Sequence, residues 1–423
     1  MTHRRPARPA VVPAVTLTFV LTLTAACSSS GGDDDTTAGA DDLAFVATTT
    51  SDPGTGPAEV TGPVGTDDEG LPVFEGRIDP GTGVTPTTAG SGLPPVTTKA
   101  PPRGGDPQGI YRGVIGTLQP DEVVAAGAAP APEAAAGVLP LTGLAGTVPA
   151  RPAAVVKIDN GSSAAPQSGL NAADIVVEEE VEGGVTRFAA VFHSTPSIVG
   201  PVRSGRTTDV ALLGGLGDPL LLYSGANDIT QGILTAQPFI QNHGHGWSSG
   251  YWRDGNRKAP SNLFTDTAPH WASATGGPPP PQFHYRDARD PVPGAAADEF
   301  TVAYPASTAR WQWDGERWLR WQRGSEHRLV GGEQVSAANV VVIEADEVDT
   351  GMVDASGGAV PEFVFVGAGR ATVYTGGKRI EGTWTRPTLT SVATLTHGPG
   401  QPIELAPGRT WIQLVEAGAG TVR

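Results

Sequence analysis

The chain has 423 residues, a formal net charge of -16 at pH 7, 39% hydrophobic and 17% charged side chains, 57 Gly, 39 Pro and one Cys. That much Gly and Pro excludes a single long ordered domain, and the acidic balance excludes nucleic acid as a partner, since a phosphate backbone needs a basic face.

Arg4, Arg5 and Arg8 precede an uncharged run over 11–26, and Cys27 follows the small residues Ala25 and Ala26. This layout predicts an export signal over residues 1–26. The run has 16 residues, short of the roughly 20 a helix needs to cross a bilayer, so it is not read as a permanent span. Cys27 with Ser28, Ser29, Ser30, Gly31 and Gly32 resembles the start of a mature bacterial lipoprotein, whose cysteine carries the lipid. Thr24 stands where such leaders usually have Leu, and Leu23 lies one place earlier. A signal cut after Ala26 with an incidental cysteine is the alternative. Lipidation of Cys27 anchors the chain at the extracytoplasmic face of the bacterial cell membrane. It also removes the one thiol from disulfide, zinc and nucleophile chemistry.

Residues 28–109 hold 13 acidic and 3 basic side chains in 82 positions. Such a segment cannot bury enough apolar surface to offset its ordering entropy, and as a flexible coil it spans roughly 50 Å. We expect a disordered Gly/Pro/Asp/Thr/Ala-rich tether over 27–140. Short apolar breaks fall at 43–46 and 71–78, and a short helix near 121–126. The folded part is expected to open at Leu141 and to divide into 141–290 and a β-rich 291–423.

The segment 153–158 is valine-rich and runs into Asp159-Asn160-Gly161, a strand ending in a turn with Asp159 at its mouth. Runs at 175–181 and 185–193 flank Gly183-Gly184, which suits a two-residue hairpin at positive φ. That register sets Glu182 opposite Val185, Glu180 opposite Arg187 and Glu178 opposite Ala189. Glu178, Glu180, Glu182, Arg187 and His193 then share one face. Ile175, Val177, Val181, Phe188 and Phe192 take the core side, interrupted by Glu179. Next, Gly200-Pro201-Val202-Arg203-Ser204-Gly205-Arg206 leads into a short helix capped by Ser204, which projects Arg203 and Arg206 together. A buried strand over 220–223 and a helix from about Asn227 follow, and the polar loop 251–266 carries cations and hydrogen-bonding side chains. From Phe300 the pattern is β throughout, with turns at Asp314-Gly315, Gly376-Gly377 and Gly398-Pro399-Gly400. The Asp314-Gly315 hairpin sets Trp311 against Trp318. The cluster Trp311, Trp313, Trp318 and Trp321 reads as sheet packing ahead of a sugar platform. The fold class is α+β, with β-rich mixed sheets packed with a few helices on one side.

Taken together, these motifs resemble a known family. They are Leu141-Thr142-Gly143-Leu144; Arg151-Pro152 through Ile158-Asp159-Asn160; Pro166-Gln167-Ser168-Gly169-Leu170 with Ala173-Asp174-Ile175-Val176; Glu178; Val181-Glu182-Gly183-Gly184-Val185-Thr186-Arg187; and Gly200-Pro201-Val202-Arg203-Ser204 with Arg206. The likeness is to the YerB-like lipoproteins, a bacterial family of unknown molecular function with paired N- and C-terminal domains. Arg257-Lys258-Ala259-Pro260 with Asn262-Leu263, Gly382-Thr383-Trp384 and Pro407-Gly408-Arg409-Thr410-Trp411-Ile412 resemble its second-half motifs. Ala165 stands where the family usually has Arg, Val177 where it often has Tyr, and Ser261 where it often has His. The resemblance covers roughly 141–415. It implies a β-rich α+β architecture, a lipid anchor outside the cytoplasm and no assigned activity.

Glu178, Glu182, Arg187, Arg203 and Arg206, with Asp159, are the candidate ligand-binding residues. Paired carboxylates act as acid and base when their surroundings separate their pKa values, and guanidiniums clamp carboxylate or phosphate. A buried ion-pair network is the structural alternative. Gly246-Trp247-Ser248-Ser249-Gly250 matches G-x-S-x-G without the strand and helix that a nucleophile elbow needs. His243 and His245 could bind a metal with a carboxylate such as Asp254, but spacing places no third ligand beside the two histidines. No catalytic residue, metal or cofactor is assigned. The reading is a lipid-anchored cell-envelope protein that is a binding module for an envelope protein or cell-wall component rather than an enzyme. Its partners are the membrane, through lipidated Cys27, and that component, with no nucleic acid. The alternatives are an envelope hydrolase or transferase using Glu178 or Glu182 with an arginine clamp, and a small-solute carrier.

Overall fold

Valine- and leucine-rich runs broken by turn residues pair into one 13-stranded mixed sheet in the computed structural model of the protein. The structure describes residues 65–66, 72–73, 111, 113–115, 128–287, 289–354 and 357–418. The export signal, Cys27, most of the tether and the helix expected at 121–126 lie outside these residues.

The elements that position the site are β1 (Ala154–Asp159), β2 (Ile175–Glu180), β3 (Thr186–Phe192), α1 (Thr208–Gly214), β4 (Leu220–Leu222) and α2 (Asp228–Ala236). The later strands are β5 (Glu299–Tyr304), β6 (Ser307–Trp313), β7 (Trp318–Gln322), β8 (Asn339–Val353), β9 (Ala359–Val364), β10 (Gly367–Thr375), β11 (Lys378–Arg386), β12 (Thr394–Gly398) and β13 (Thr410–Glu416). Across the large sheet the order is β12-β11-β10-β8-β13-β2-β3-β1-β4, with two-residue strands at each edge. β13 runs parallel to both neighbours, Thr410 lying opposite Asn339 of β8 and opposite Ile175 of β2. The strand latest in the chain thus joins the two halves at the sheet's centre.

Each face of this sheet buries a different layer. Val155, Val177, Val191 and Leu221 pack with Val210 and Leu213 of α1 and Ile233 and Leu234 of α2. Val156, Ile158, Val176, Phe188 and Phe192 pack on the other side with Phe300, Val302, Trp311 and Trp318 from the smaller β5-β6-β7 sheet. α1 and α2 therefore share one face, whereas Trp271, after the four-residue helix Thr267–His270, packs with the opposite cluster. Asn227 caps α2 by accepting from Thr230 N at 2.8 Å. α1 starts after Thr207 with no side-chain cap, so Ser204 is not its cap.

Two registers differ from expectation. The β2–β3 turn holds three residues, Glu182–Gly184, closed by Val181 N donating to Val185 O at 2.9 Å, with Gly183 and Gly184 at φ of 71° and 70°. Glu178 therefore faces Phe188, Glu179 faces Arg187 and Glu180 faces Thr186. A one-residue slip exchanges faces, so Arg187 shares a face with Glu179 rather than with Glu178. In the small sheet Trp313 faces Trp318 and Trp311 faces Arg320. This slip is two residues, which keeps all four side chains on the buried side, while Trp321 points away and lies 4.3 Å under the Arg310 guanidinium.

The layers are joined by buried polar groups. Glu178, fully buried on β2, accepts from Arg320 Nη2 on both oxygens at 2.9 and 2.8 Å, from Thr186 Oγ1 at 2.8 Å and from Gln413 Nε2 at 3.0 Å. Arg320 Nη1 lies 2.6 Å from His327 Nδ1, and because a guanidinium only donates, that nitrogen is bare and Nε2–H donates to Gln167 Oε1 at 2.9 Å. Asn160 Oδ1 accepts from Gln322 Nε2 at 2.7 Å and Gln167 Nε2 at 3.2 Å. Residues from both halves of the chain thus bond to one another in a single network. Glu178→Gln leaves the Arg320 charge buried among Trp311, Trp411 and Phe188. The expected loss is about 3–5 kcal/mol of unfolding free energy in denaturant titration, and Glu178→Gln with Arg320→Met recovers a large part of it.

Candidate functional site

The helix-side face ends in a row of charge. Register places Glu179 of β2, Arg187 of β3 and Asp159 of β1 directly abreast. One pair further back, fully buried Lys157 ion-pairs with Glu179 and, at 2.6 Å, with Asp209 Oδ1 from the first turn of α1. Asp209 Oδ2 accepts from Arg206 N at 2.7 Å, which fixes the loop 200–207 over the row. Arg206 grips Glu182 on both oxygens, Nε to Oε1 at 2.6 Å and Nη2 to Oε2 at 2.7 Å, and Arg187 Nη1 donates to Ser204 O at 3.0 Å. Burial pushes the Glu179 carboxyl upward, and Lys157 offsets only part of that. Burial also acts to raise Glu182, but the Arg206 and Arg187 guanidiniums outweigh it and hold it below the usual carboxylate value.

At the open end of the row stand Asp159 and Arg203, with Nε 3.7 Å from Oδ2. Asp159 Oδ1 accepts from Gly161 N at 2.8 Å, an Asx-type turn that sets the carboxyl at the strand mouth. Buried Ser261 donates to Asp159 Oδ2 at 2.8 Å and lies 2.9 Å from Ser163 Oγ. With its proton committed to the carboxylate, Ser261 accepts from Ser163, whose residue is exposed. The result is a short relay from an exposed hydroxyl to a buried carboxylate. Ser261, where the resemblance carries His, reaches Asp159 by its own hydroxyl.

Arginines surround this relay. Arg257 Nη1 donates to Ala164 O at 3.0 Å and its Nη2 to Pro166 O, while Arg323 Nη2 donates to Asn160 O. Arg323 and Gly324 form the two-residue turn between Gln322 and Ser325 at φ of 51° and 77°. Such a turn favours Asn or Gly, so an arginine there costs about 1 kcal/mol. Beside them Arg253 Nη1 donates to Asn262 Oδ1 at 2.7 Å, and Trp252, 41% exposed, stacks on Phe264.

Of the six expected residues, Glu182, Arg187 and Arg206 come together, Asp159 and Arg203 sit at the adjoining open end, and Glu178 projects from the opposite face into the inter-sheet network. Reasoning from sequence missed Lys157, Asp209, Arg320, Arg323 and Ser163. A lysine inside the valine run at 153–158 was the available signal for a buried ion pair. Arg320 gave none, because its strand reads as ordinary alternation.

The other motifs settle differently. Ser248 Oγ lies 3.3 Å from His270 Nδ1, whose Nε2 is 2.8 Å from Thr265 Oγ1. Burial, then neighbouring His243, pushes His270 down to about 3, which makes it a weak base for that serine. Among the described residues no three His, Cys, Asp or Glu are grouped to hold a metal. An apolar cavity of about 60 Å³ lies against Val177, Ile343 and Leu414 with Arg386 at its wall, away from Asp159.

Separately, Glu180, Glu416 and Glu347 lie at neighbouring positions on the adjacent strands β2, β13 and β8. Burial first, then the Glu347 and Glu416 charges, push Glu180 up to about 7. A carboxyl raised in the folded state stabilises it fully below the unfolded value and loses that contribution as pH rises through the folded one. Unfolding free energy should therefore decline between about pH 4 and pH 7, and Glu180→Gln should flatten that slope in thermal melts across the range.

Comparison with known proteins gives a consistent picture. Residues 141–277 match the family model "Protein of unknown function (DUF3048) N-terminal domain" and residues 300–412 its C-terminal counterpart. The chain is 39% identical over 131 residues to "Putative lipoprotein YerB" of Bacillus subtilis (strain 168), an alignment covering 30% of this chain and 39% of that protein's length. The crystal structure of the YerB protein from Bacillus subtilis shares the fold with a TM-score of 0.57 at 24% identity, covering 68% of this chain and 99% of that one.

Proposed function

Since this chain belongs to the DUF3048 family, whose function is unknown, we propose that it is a lipid-anchored protein of the extracytoplasmic membrane face. Its head holds an acidic group of an envelope protein or cell-wall component at the arginine rim around Asp159. The convergence of Arg203, Arg257 and Arg323 on the loop 159–166, beside exposed Ser163, carries this reading. A guanidinium presents five donors in a planar fork that matches carboxylate or phosphate, and Arg323 commits one of its nitrogens to a backbone carbonyl at this rim. The rim is locally basic on a chain of net charge -16, which favours an anion there over the rest of the surface.

The anchor rests on the 1–26 leader, on Cys27 and on the name of the Bacillus relative. Among the described residues no helix is long and apolar enough to cross a membrane, so attachment through Cys27 is the means this reading uses. The hydrolase alternative finds less support. Glu178 is fully buried and spends both oxygens on Arg320, and Glu182 is held on both oxygens by Arg206.

Two outcomes are expected. Cys27→Ser should move the protein from the membrane to the soluble fraction on cell fractionation. In calorimetric titration with soluble peptidoglycan fragments and with detergent-extracted envelope proteins, Arg203→Ala and Arg323→Ala should each weaken binding about tenfold. Arg370→Ala, on the exposed surface, should leave it unchanged. Failure of the unsubstituted protein to bind either preparation would sink the reading.

A further inference from the structure

A buried carboxylate on the far side of α1 takes its donors from the stretch that composition assigns to tether. Glu362 of β9 is fully buried, and it accepts from Tyr111 OH at 2.7 Å, Val114 N at 2.7 Å and Ile115 N at 3.2 Å. Tyr111 and Ile115 are 5% and 8% exposed and belong to the helix-side core. Gly113 lets the segment wrap the carboxylate, since a Cβ there would lie 2.6 Å from Glu362 Oε2 and 2.4 Å from the Tyr111 ring. Successive backbone N–H groups closing on an anion, with a tyrosine hydroxyl opposite, are the contacts of specific recognition rather than incidental packing.

We propose that the Glu362 pocket is a peptide-recognition site for a linear Tyr-x-Gly-Val-Ile segment, with the chain's own residues 111–115 as its resident ligand. Removing the segment strips a buried carboxylate of hydrogen-bond donors, which favours rebinding. Because the segment belongs to the same chain as the head, its binding is intramolecular, so a weak intrinsic affinity suffices. The strand carrying the pocket also reaches the first turn of α1. Phe363 N, next to Glu362, donates to Thr208 Oγ1 at 3.2 Å, and Thr208 precedes Asp209 of the charged row.

Trypsin reads this directly on the full chain carrying Cys27→Ser, because Arg103 and Arg112 fall outside and inside the segment. The bond after Arg103 should be cut at least tenfold faster than that after Arg112. In Tyr111→Ala and in Glu362→Gln the two rates should become equal while the bond after Arg151 stays intact. A synthetic peptide of residues 107–118 at about 5 mM should speed cutting after Arg112 in the otherwise unsubstituted chain. Equal rates before any further substitution, an unchanged ratio in Tyr111→Ala, or no effect of the peptide would each overturn the proposal. Should Glu362→Gln open the bond after Arg151 by unfolding the head, Tyr111→Ala decides, since it leaves Glu362 in place.

Discussion

The ion pair between Glu178 and Arg320 constrains everything else in the molecule. Two unit charges taken out of water are costly unless their other lone pairs and protons find partners, and here Thr186 and Gln413 serve the carboxylate while His327 and Gln322 serve the guanidinium Nη1, leaving its Nε buried without a partner. Those partners come from segments far apart in sequence, so their directional bonds fix how the two sheets pack. Aromatic rings close the space around the guanidinium, with Trp411 at 5.0 Å and Phe188 at 5.5 Å. Apolar packing alone would allow sliding between such faces; the directional bonds forbid it.

This constraint changes what the motif residues mean. Gln167 and Asn160 lie in stretches shared with the YerB-like family and serve the inter-sheet network. Asp174 accepts from His193 N at 2.6 Å and Ser194 N at 2.9 Å, and Gly143 lets the chain lie against the Tyr285 ring. Much of what looked like chemistry is scaffolding. The stretch we propose for recognition is the short one where arginines and serines meet at the mouth of β1, on loops that the scaffold positions.

The sheet-rich class, the pairing of 175–180 with 186–192 and the packing of Trp311 and Trp318 into the sheet interior were legible in the sequence, because alternation and turn residues report them directly. The face of Arg187 was not. It depends on whether the turn has two residues or three, and Gly183-Gly184 is compatible with both. Glu179 was visible as a break in an apolar face and Lys157 as a lysine in a valine run, yet they lie on different strands, and nothing local shows that the two pair. The Tyr111–Ile115 segment was hidden for the opposite reason. Its surroundings read as linker, and only Glu362, some 250 residues onward, gives it a place to sit.

The position of β13 has a consequence for assembly. The strand at Thr410–Glu416 is laid parallel between β2 and β8, so the sheet stays split at its centre until those residues arrive. A chain emerging N-terminus first holds β1, β2 and β3 with an open edge at β2 while more than 200 residues are still to come. Unpaired parallel edges of that kind are slow to close and prone to meeting the wrong strand. Folding of this molecule is therefore a late, concerted event, and whatever keeps the early strands apart in the interval is as necessary to the native state as any contact within it.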